Sequence, residues 1–486
     1  MKKLIFLFYS TCIGSISFSQ NIGIGTNVPV EKLHVAGNIK ADTVKPNVLK
    51  LAIGAGAGKV LTSDAVGNAS WQTYNPGGNV GYGVWGNCDA NGNISEYQPV
   101  VDPTGDYNDY FGFSVAISGD FSIVGAPFDD VGANNNQGSV SIFQFDGTSW
   151  IFMQKLTDAT GSADAQFGYS VSISGNYAIV GAWQESFGPN SNQGSASIYR
   201  FNGTGWVLMQ KLIDATGALA DLFGSAVAIS GNRAIVGAFY DDVGANTDQG
   251  SASIYQFDGS TWVLSKKITD VAGVAADRFG YSVSISGNDV IVGEPGFDLD
   301  AAGGYVDFGA ALVFKYNGSS WVSVQKLQGN GLTGDWFGVS VSIDGNYAII
   351  GAYQENLNQA NPDQGTASIY RYDGSSWQLM QKMFNIDGKP FDKFGNSVAL
   401  SGDYAMVGIY NHDAGTNTAQ ADVGAAVIYR RMGVTWQRIQ YLTDPGANTE
   451  DWFGFAVAID GVTKRFASSA ARYGNGSGKA VFGKIN

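Results

Sequence analysis

Histidine, the side chain that most often moves protons near neutral pH or ligates transition metals, occurs only twice in these 486 residues, as His34 and His412. The two stand in different parts of the chain and make no shared active site; surface imidazoles are the reading adopted. The glycine run from Gly54 to Lys59 invites a phosphate cradle. Such a cradle needs Gly-x-x-x-x-Gly-Lys-Ser/Thr, so that backbone amides and a lysine wrap the phosphates. Ile53 stands at its first position and Val60 at its last, and Gly474 to Lys479 fails in the same way. Neither a Gly-x-Ser-x-Gly elbow nor a His-Glu-x-x-His zinc helix is present. Carboxylate pairs remain for acid–base work on a polysaccharide. Six aspartates, Asp109, Asp221, Asp277, Asp335, Asp392 and Asp451, each sit two residues before a Phe-Gly pair. They would form either an acidic collar for a cation or basic ligand, or a turn in which Asp accepts backbone N–H groups. The turn is preferred. No catalytic residue, metal ligand or cofactor is assigned.

The binding signal is aromatic. Phe128, Trp183, Phe239, Tyr240, Tyr353 and Tyr410 open long polar segments such as Asp129 to Gly138, Asp241 to Gly250 and Glu355 to Gly365. Variable segments on a constant scaffold are where recognition resides. The six rings are therefore candidate ligand-binding residues, a stacking platform for sugars or an anchor set for a protein partner. Packing between neighbouring elements is the competing reading. Weak calcium binding by the carboxylates of these segments is a further alternative.

The elements that must position them repeat. Phe-Gly recurs at Phe111, Phe167, Phe223, Phe279, Phe337, Phe394 and Phe453, at spacings of 56, 56, 56, 58, 57 and 59 residues. In the copy at Phe167, Val171 and Ile173 alternate with serines, the period of a strand. A turn at Ser174-Gly175-Asn176 leads to the apolar run Tyr177 to Ala182, read as a strand buried on both faces. Ala196 to Phe201 is a third strand, and Asn202-Gly203 is a hairpin signal. The fourth strand opens at Trp206, with equivalents at Trp150, Trp262, Trp321, Trp377 and Trp436. Four antiparallel strands repeated seven times predict an all-β, seven-bladed β-propeller. The last copy ends on a third strand, Lys479 to Asn486. The missing fourth stands ahead of the first copy, where Glu96 to Gly105 lines up with Leu208 to Gly217. An N-terminal strand is thus expected to close the ring and cover its edges.

The Phe-Gly strand followed by Val124-Gly-Ala-Pro127 resembles the FG-GAP repeat of integrin α-subunit propellers, and most closely its bacterial secreted branch. Related copies read Val180-Gly-Ala-Trp183 and Val292-Gly-Glu-Pro295. Arg465 to Ala470 departs from this pattern and predicts a looser seventh blade. The resemblance implies adhesion or binding through loops on one face. It also implies calcium loops between the first and second strands. Here that connection has shrunk to three residues, too few to wrap six oxygens around an ion, so the calcium role is not carried over.

Residues 1–19, with Lys2, Lys3 and an apolar stretch, read as a signal peptide, and residues 91–486 as the propeller. Residues 20–75 resemble the head of bacterial and phage fibre stalks, which implies a short β segment that can form a homotrimer. Residues 76–90 read as a linker. Net charge is −14, which disfavours nucleic acid, and no apolar run is long enough to span a membrane. The only cysteines are Cys12 and Cys88, so removal of the leader leaves no internal disulfide. The expected protein is a secreted or cell-surface, non-enzymatic binder of an extracellular protein or glycan. The alternatives are a polysaccharide-binding or polysaccharide-degrading propeller enzyme and a purely structural surface subunit.

Overall fold

The computed structural model describes residues 98–485 apart from 299–306, 330–333, 358–361, 387, 414–421 and 445–447, together with four short strands nearer the N-terminus. The chain divides into two compact units, Met1–Gly86 and Asn87–Asn486. In the first, Ile22–Ile24 pairs in parallel with Leu33–Val35, and Lys59–Ser63 pairs antiparallel with Ala69–Thr73. The expected leader, linker and His34 side chain lie outside the described residues.

The second unit is a seven-bladed propeller of four-stranded antiparallel sheets. Blade two shows the pattern, with Phe167–Ser174, Tyr177–Ala182, Ser195–Phe201 and Trp206–Leu212 in spatial as well as chain order. Its second strand is buried from Ala178 to Ala182, as an apolar run without alternation requires. The ring closes as the offset predicts. Gln98–Val100 adds to Lys479–Lys484 with Ala480 opposite Val100 and Phe482 opposite Gln98. The seventh blade is not looser than the rest. Arg465–Ala470 pairs along its whole length with Lys479–Lys484 and is buried after its first residue. Ser468 stands where other blades bury Val or Ile, Phe466 fills the place of their smaller Ala178 or Ala234, and Ser469, at their glycine position, accepts the Ala456 N–H on its hydroxyl at 3.0 Å.

Neighbouring blades are joined at four radii. The buried apolar side chains form seven clusters, one for each neighbouring pair of blades. The Phe of every Phe-Gly is at most 1% exposed and lies in such a cluster. Its glycine has positive φ, 94° at Gly168, and the backbones of adjacent blades touch there: a Cβ on Gly125 would lie 2.1 Å from the Gly168 oxygen. This is why both Phe-Gly and Val-Gly-Ala retain glycine. Nearer the axis, a side-chain oxygen at the end of each inner strand accepts the turn glycine N–H of the next blade. The series runs Ser118 to Gly175, Ser174 to Gly231, Ser230 to Gly287, Ser286 to Gly345, Asp344 to Gly402, Ser401 to Gly461 and finally Asp460 to Gly119, so the hydrogen-bonded circle is complete. At the rim, a glutamine of one outer strand clamps the first Trp of the next. Gln154 donates to the Trp206 carbonyl at 3.0 Å and accepts its N–H at 2.8 Å. Gln98 makes the same pair of bonds to Trp150.

The outer strand kinks at one repeated place. In six blades the register with the third strand slips midway, at Ile198/Tyr199 in blade two. This bulge turns two consecutive apolar residues outward, Val207 at 45% and Leu208 at 53% exposure.

Candidate functional site

The chain reaches each inner strand through a tight turn, and in six of the seven units an aspartate stands in it. Asp221 accepts the Ala218 N–H at 2.5 Å, Asp277 that of Val274 at 2.6 Å, and Asp392 that of Lys389 at 2.9 Å. The six aspartates are at most 4% exposed, so they cap turns and present no acidic collar to solvent. The acceptor looks backward along the chain, to the residue three positions earlier. Burial outweighs these bonds and pushes Asp109, Asp221 and Asp277 up to about 6. Holding this turn costs backbone strain. The residue before the repeated Phe has positive φ in every unit, including the second, where Ala165 replaces the Asp: Tyr110, Gln166, Leu222, Arg278, Trp336, Lys393 and Trp452, between 53° and 64°. Seven non-glycine residues of six types in the left-handed region project variable groups from a fixed backbone.

Four of the six sequence-predicted aromatics meet these groups, Phe128 at Tyr110, Trp183 at Gln166, Tyr353 at Trp336 and Lys393, and Tyr410 at Trp452, and rings two residues past the repeated Phe link them further. Tyr169 stacks on Trp183 at 4.1 Å between ring centres, and Trp183 lies 6.3 Å from Phe239. Phe239 contacts Tyr240 at 4.4 Å and Tyr281 at 5.1 Å. Tyr281 continues to Trp336, and Trp336 to Tyr353 at 5.9 Å. In the other direction Tyr169 meets Phe113 at 4.9 Å, and Phe113 meets Phe128 and Phe455. Tyr410 meets Phe455 at 5.8 Å and Trp452 at 5.6 Å. All six candidates therefore join one aromatic chain that visits every blade, and the step from Tyr353 to Tyr410 is the break in its ring contacts. The packing and ligand-binding readings are not exclusive here, since the rings pack on one another yet most remain partly exposed. Phe239 is the buried one, at 8%.

Polar groups punctuate this surface. The Trp183 indole N–H donates to Gln166 at 2.8 Å, and Gln166 donates to Gln184 at 2.9 Å. The Arg278 guanidinium lies over Trp336 at 5.4 Å. Burial holds the Tyr281 and Tyr410 phenols up at about 12, so they stay protonated donors. The partners Phe113, Tyr169, Tyr281, Trp336, Trp452 and Phe455 escaped the sequence reading. Their common signal is position: two residues after the repeated Phe, or one before it.

Outside the aromatic chain, lysines bridge blades. Lys155 joins Asp102 at 2.9 Å to Asp129 at 2.6 Å, and Lys267 joins Asp214 at 2.8 Å to Asp241 at 2.6 Å. Lys211 and Lys326 do the same with Asp158 and Glu185, and with Asp270 and Glu294. In blade six Tyr441 takes the lysine position, and His412 takes that of the loop acid. His412 is not a surface imidazole: it is 9% exposed, its Nδ1 lies 3.0 Å from Asp392, and its ring meets Tyr441 edge-on. The turn between first and second strands does not suit the calcium loop implied by the resemblance. Ser174 pairs directly with Tyr177 across it, and the Ser174 hydroxyl is engaged by Gly231.

The chain is similar to one known repeat family: a family model described as FG-GAP repeat matches residues 95–143, 150–199, 206–255, 262–314, 321–370 and 377–429, more than half of its length. Each match begins near an outer strand and ends on a third strand, so the family's unit is offset from the blade by one strand. No curated protein matches the chain. Among the described residues no helix is long and apolar enough to cross a membrane.

Proposed function

The chain belongs to the FG-GAP repeat family, and from that premise we propose that it is a non-enzymatic binding protein, exported by its N-terminal leader, which engages an extracellular protein or glycan through the aromatic chain and the loops beside it. One observation carries this reading: partly exposed rings from all seven blades, held rigid by mutual packing and by strained turns. Aromatic side chains bring large contact area at small entropic cost, the property expected of binding anchors. The strain at the seven left-handed residues supports the same reading, because it is retained where packing alone would accept glycine. The N-terminal unit is then a spacer that assembles three chains.

The test is a glycan and surface-protein array probed with the full chain, the Trp183→Ala and Tyr281→Ala variants, and a rim variant, Leu208→Ala, as control. Retention by wild type and the rim variant, with loss of at least roughly tenfold in affinity for the two aromatic-chain variants, is the expected result. Equal retention by all four proteins overturns the placement of the site. New reducing ends or unsaturated sugars released from a bound polysaccharide overturn the non-enzymatic reading. Light scattering of the full chain gives a trimer mass if the spacer assembles, and a monomer mass removes that part.

A further inference from the structure

Blade four departs from its neighbours in a way that leaves charge in the interior. The second strand ends on Ala126, Ala182, Ala238 and Ala352 in blades one, two, three and five, but on Glu294 in blade four. Three residues later those blades supply the loop acid that meets their lysine, Asp129, Glu185, Asp241 or Glu355. Blade four has Phe297 there, and the Lys326 ammonium rests 3.5 Å from the centre of its ring. The carboxylate has thus moved from the loop into the sheet.

There it joins two others. One carboxylate oxygen each of Asp270, Asp277 and Glu294 lies within 4.8 Å of the other two. The three residues are 4%, 1% and 0% exposed. Lys326 faces the group from one side, 2.5 Å from Asp270 Oδ2 and 3.1 Å from Glu294 Oε2. One ammonium against three carboxylates leaves the group undercompensated. Glu294 Oε1 and Asp277 Oδ1 accept no hydrogen bond from the described residues. In blades two and five the loop glutamate is satisfied by a hydroxyl at the start of the third strand, Ser195 for Glu185 and Thr366 for Glu355. Ala310 stands at that position in blade four and has no hydroxyl to give. Burying a carboxylate oxygen without a donor is costly.

We propose that Asp270, Asp277 and Glu294 form a binding site for a hard divalent cation of the calcium class, which enters as the Lys326 ammonium swings out to water. Asp270 Oδ1 and Asp277 Oδ2 accept backbone N–H groups from Ala272 and Val274, which leaves four carboxylate oxygens for the cation, and water completes the six or more that calcium takes. They come from three separate segments, the exit of one blade, the entry turn of the next and its second strand, so the cation ties neighbouring blades where Lys326 now does. Lys326 is one-fifth exposed and has a path to solvent.

The experiment is calcium titration of the chelator-stripped full chain by calorimetry and thermal melting, with Mn2+ as a second probe. One saturable cation per chain is expected, with Kd on the order of 0.1–1 mM, as in extracellular modules. Glu294→Gln abolishes this uptake, whereas Asp241→Asn, in the corresponding cluster of blade three, leaves it unchanged. Lys326→Met removes the competing ammonium and tightens uptake by roughly tenfold. That variant keeps the test decisive if Glu294→Gln fails to fold, because its melting temperature then rises more with calcium than that of wild type. The proposal is overturned if wild type takes up no cation by roughly 10 mM. It is overturned equally by uptake that survives Glu294→Gln, is lost in Asp241→Asn, or weakens in Lys326→Met.

Discussion

Replacing Gln98 by alanine probes closure of the ring with a single side chain. Gln98 sits in the strand that completes blade seven, and its amide makes two bonds to Trp150 of blade one, at 2.6 Å and 2.7 Å. Each hydrogen bond contributes about 1 kcal/mol net, and a backbone group left without a partner costs about 1–3 kcal/mol where water cannot replace it. Trp150 is 5% exposed, so its freed backbone N–H and carbonyl are only partly rescued by solvent. The expected loss is about 2–4 kcal/mol. Gln154→Ala is the matched control, because it removes the same pair of bonds to Trp206 between two blades that are contiguous in the chain. Urea unfolding followed by tryptophan fluorescence measures both, and similar shifts in midpoint at unchanged slope are expected. A Gln98→Ala midpoint within about 0.5 kcal/mol of wild type, beside a full loss in Gln154→Ala, would falsify the claim that the N-terminal strand holds the ring shut.

Three further outcomes follow from the packing and the buried charges. Phe279→Ala empties a fully buried site between blades three and four and costs about 3–5 kcal/mol, read by urea midpoint. Gly181→Ala places a Cβ 2.0 Å from the Gly224 oxygen, so circular dichroism should show a lower melting temperature, whereas Gly203→Ala, with open space around it, loses only what its φ of 100° imposes. Asp109, Asp221 and Asp277 have folded pKa values raised from 3.8 to about 6, so the folded state binds more protons than the unfolded chain between those values. Their contribution to stability is therefore present near pH 4 and is lost as pH rises through about 6. Asp221→Asn keeps an acceptor for the Ala218 N–H but cannot ionise, so the fall in melting temperature between pH 4.5 and pH 7 should shrink, and an unchanged profile would sink this account.

The architecture was legible because its signals are local and repeated. Phe-Gly, the Asn-Gly and Asp-Gly turns and the leading Trp each mark one fixed place in a blade, and seven copies average out single departures. The closing strand was legible from Glu96 to Gly105 alone, since a ring forces its ends into one sheet. Arg465 to Ala470 misled, because apolar content was taken as the measure of burial, whereas Ser468 in place of Val is offset by Phe466 in place of Ala. His412 misled for a related reason: its place in the loop gave no sign of Asp392 twenty positions earlier or of Tyr441 on the outer strand. Half of the aromatic chain was hidden as well. Phe113, Tyr169 and Tyr281 read as ordinary inner-strand residues, and only the third dimension sets them against Phe128, Trp183 and Phe239. Glu294 was visible as Val292-Gly-Glu-Pro295, but its meaning depends on Asp270 and Asp277, which lie in other segments.

The kink in the outer strands bears on how such molecules behave at high density. A propeller leaves seven ribbons with one flank open to water, and each is an invitation to a neighbouring ribbon. In blade two, three residue pairs precede the slip and three follow it, so a foreign strand sliding along the periphery loses its partners after about one nanometre. Molecules of this shape can crowd shoulder to shoulder and still come apart, which keeps the faces, rather than the circumference, free to choose what they hold.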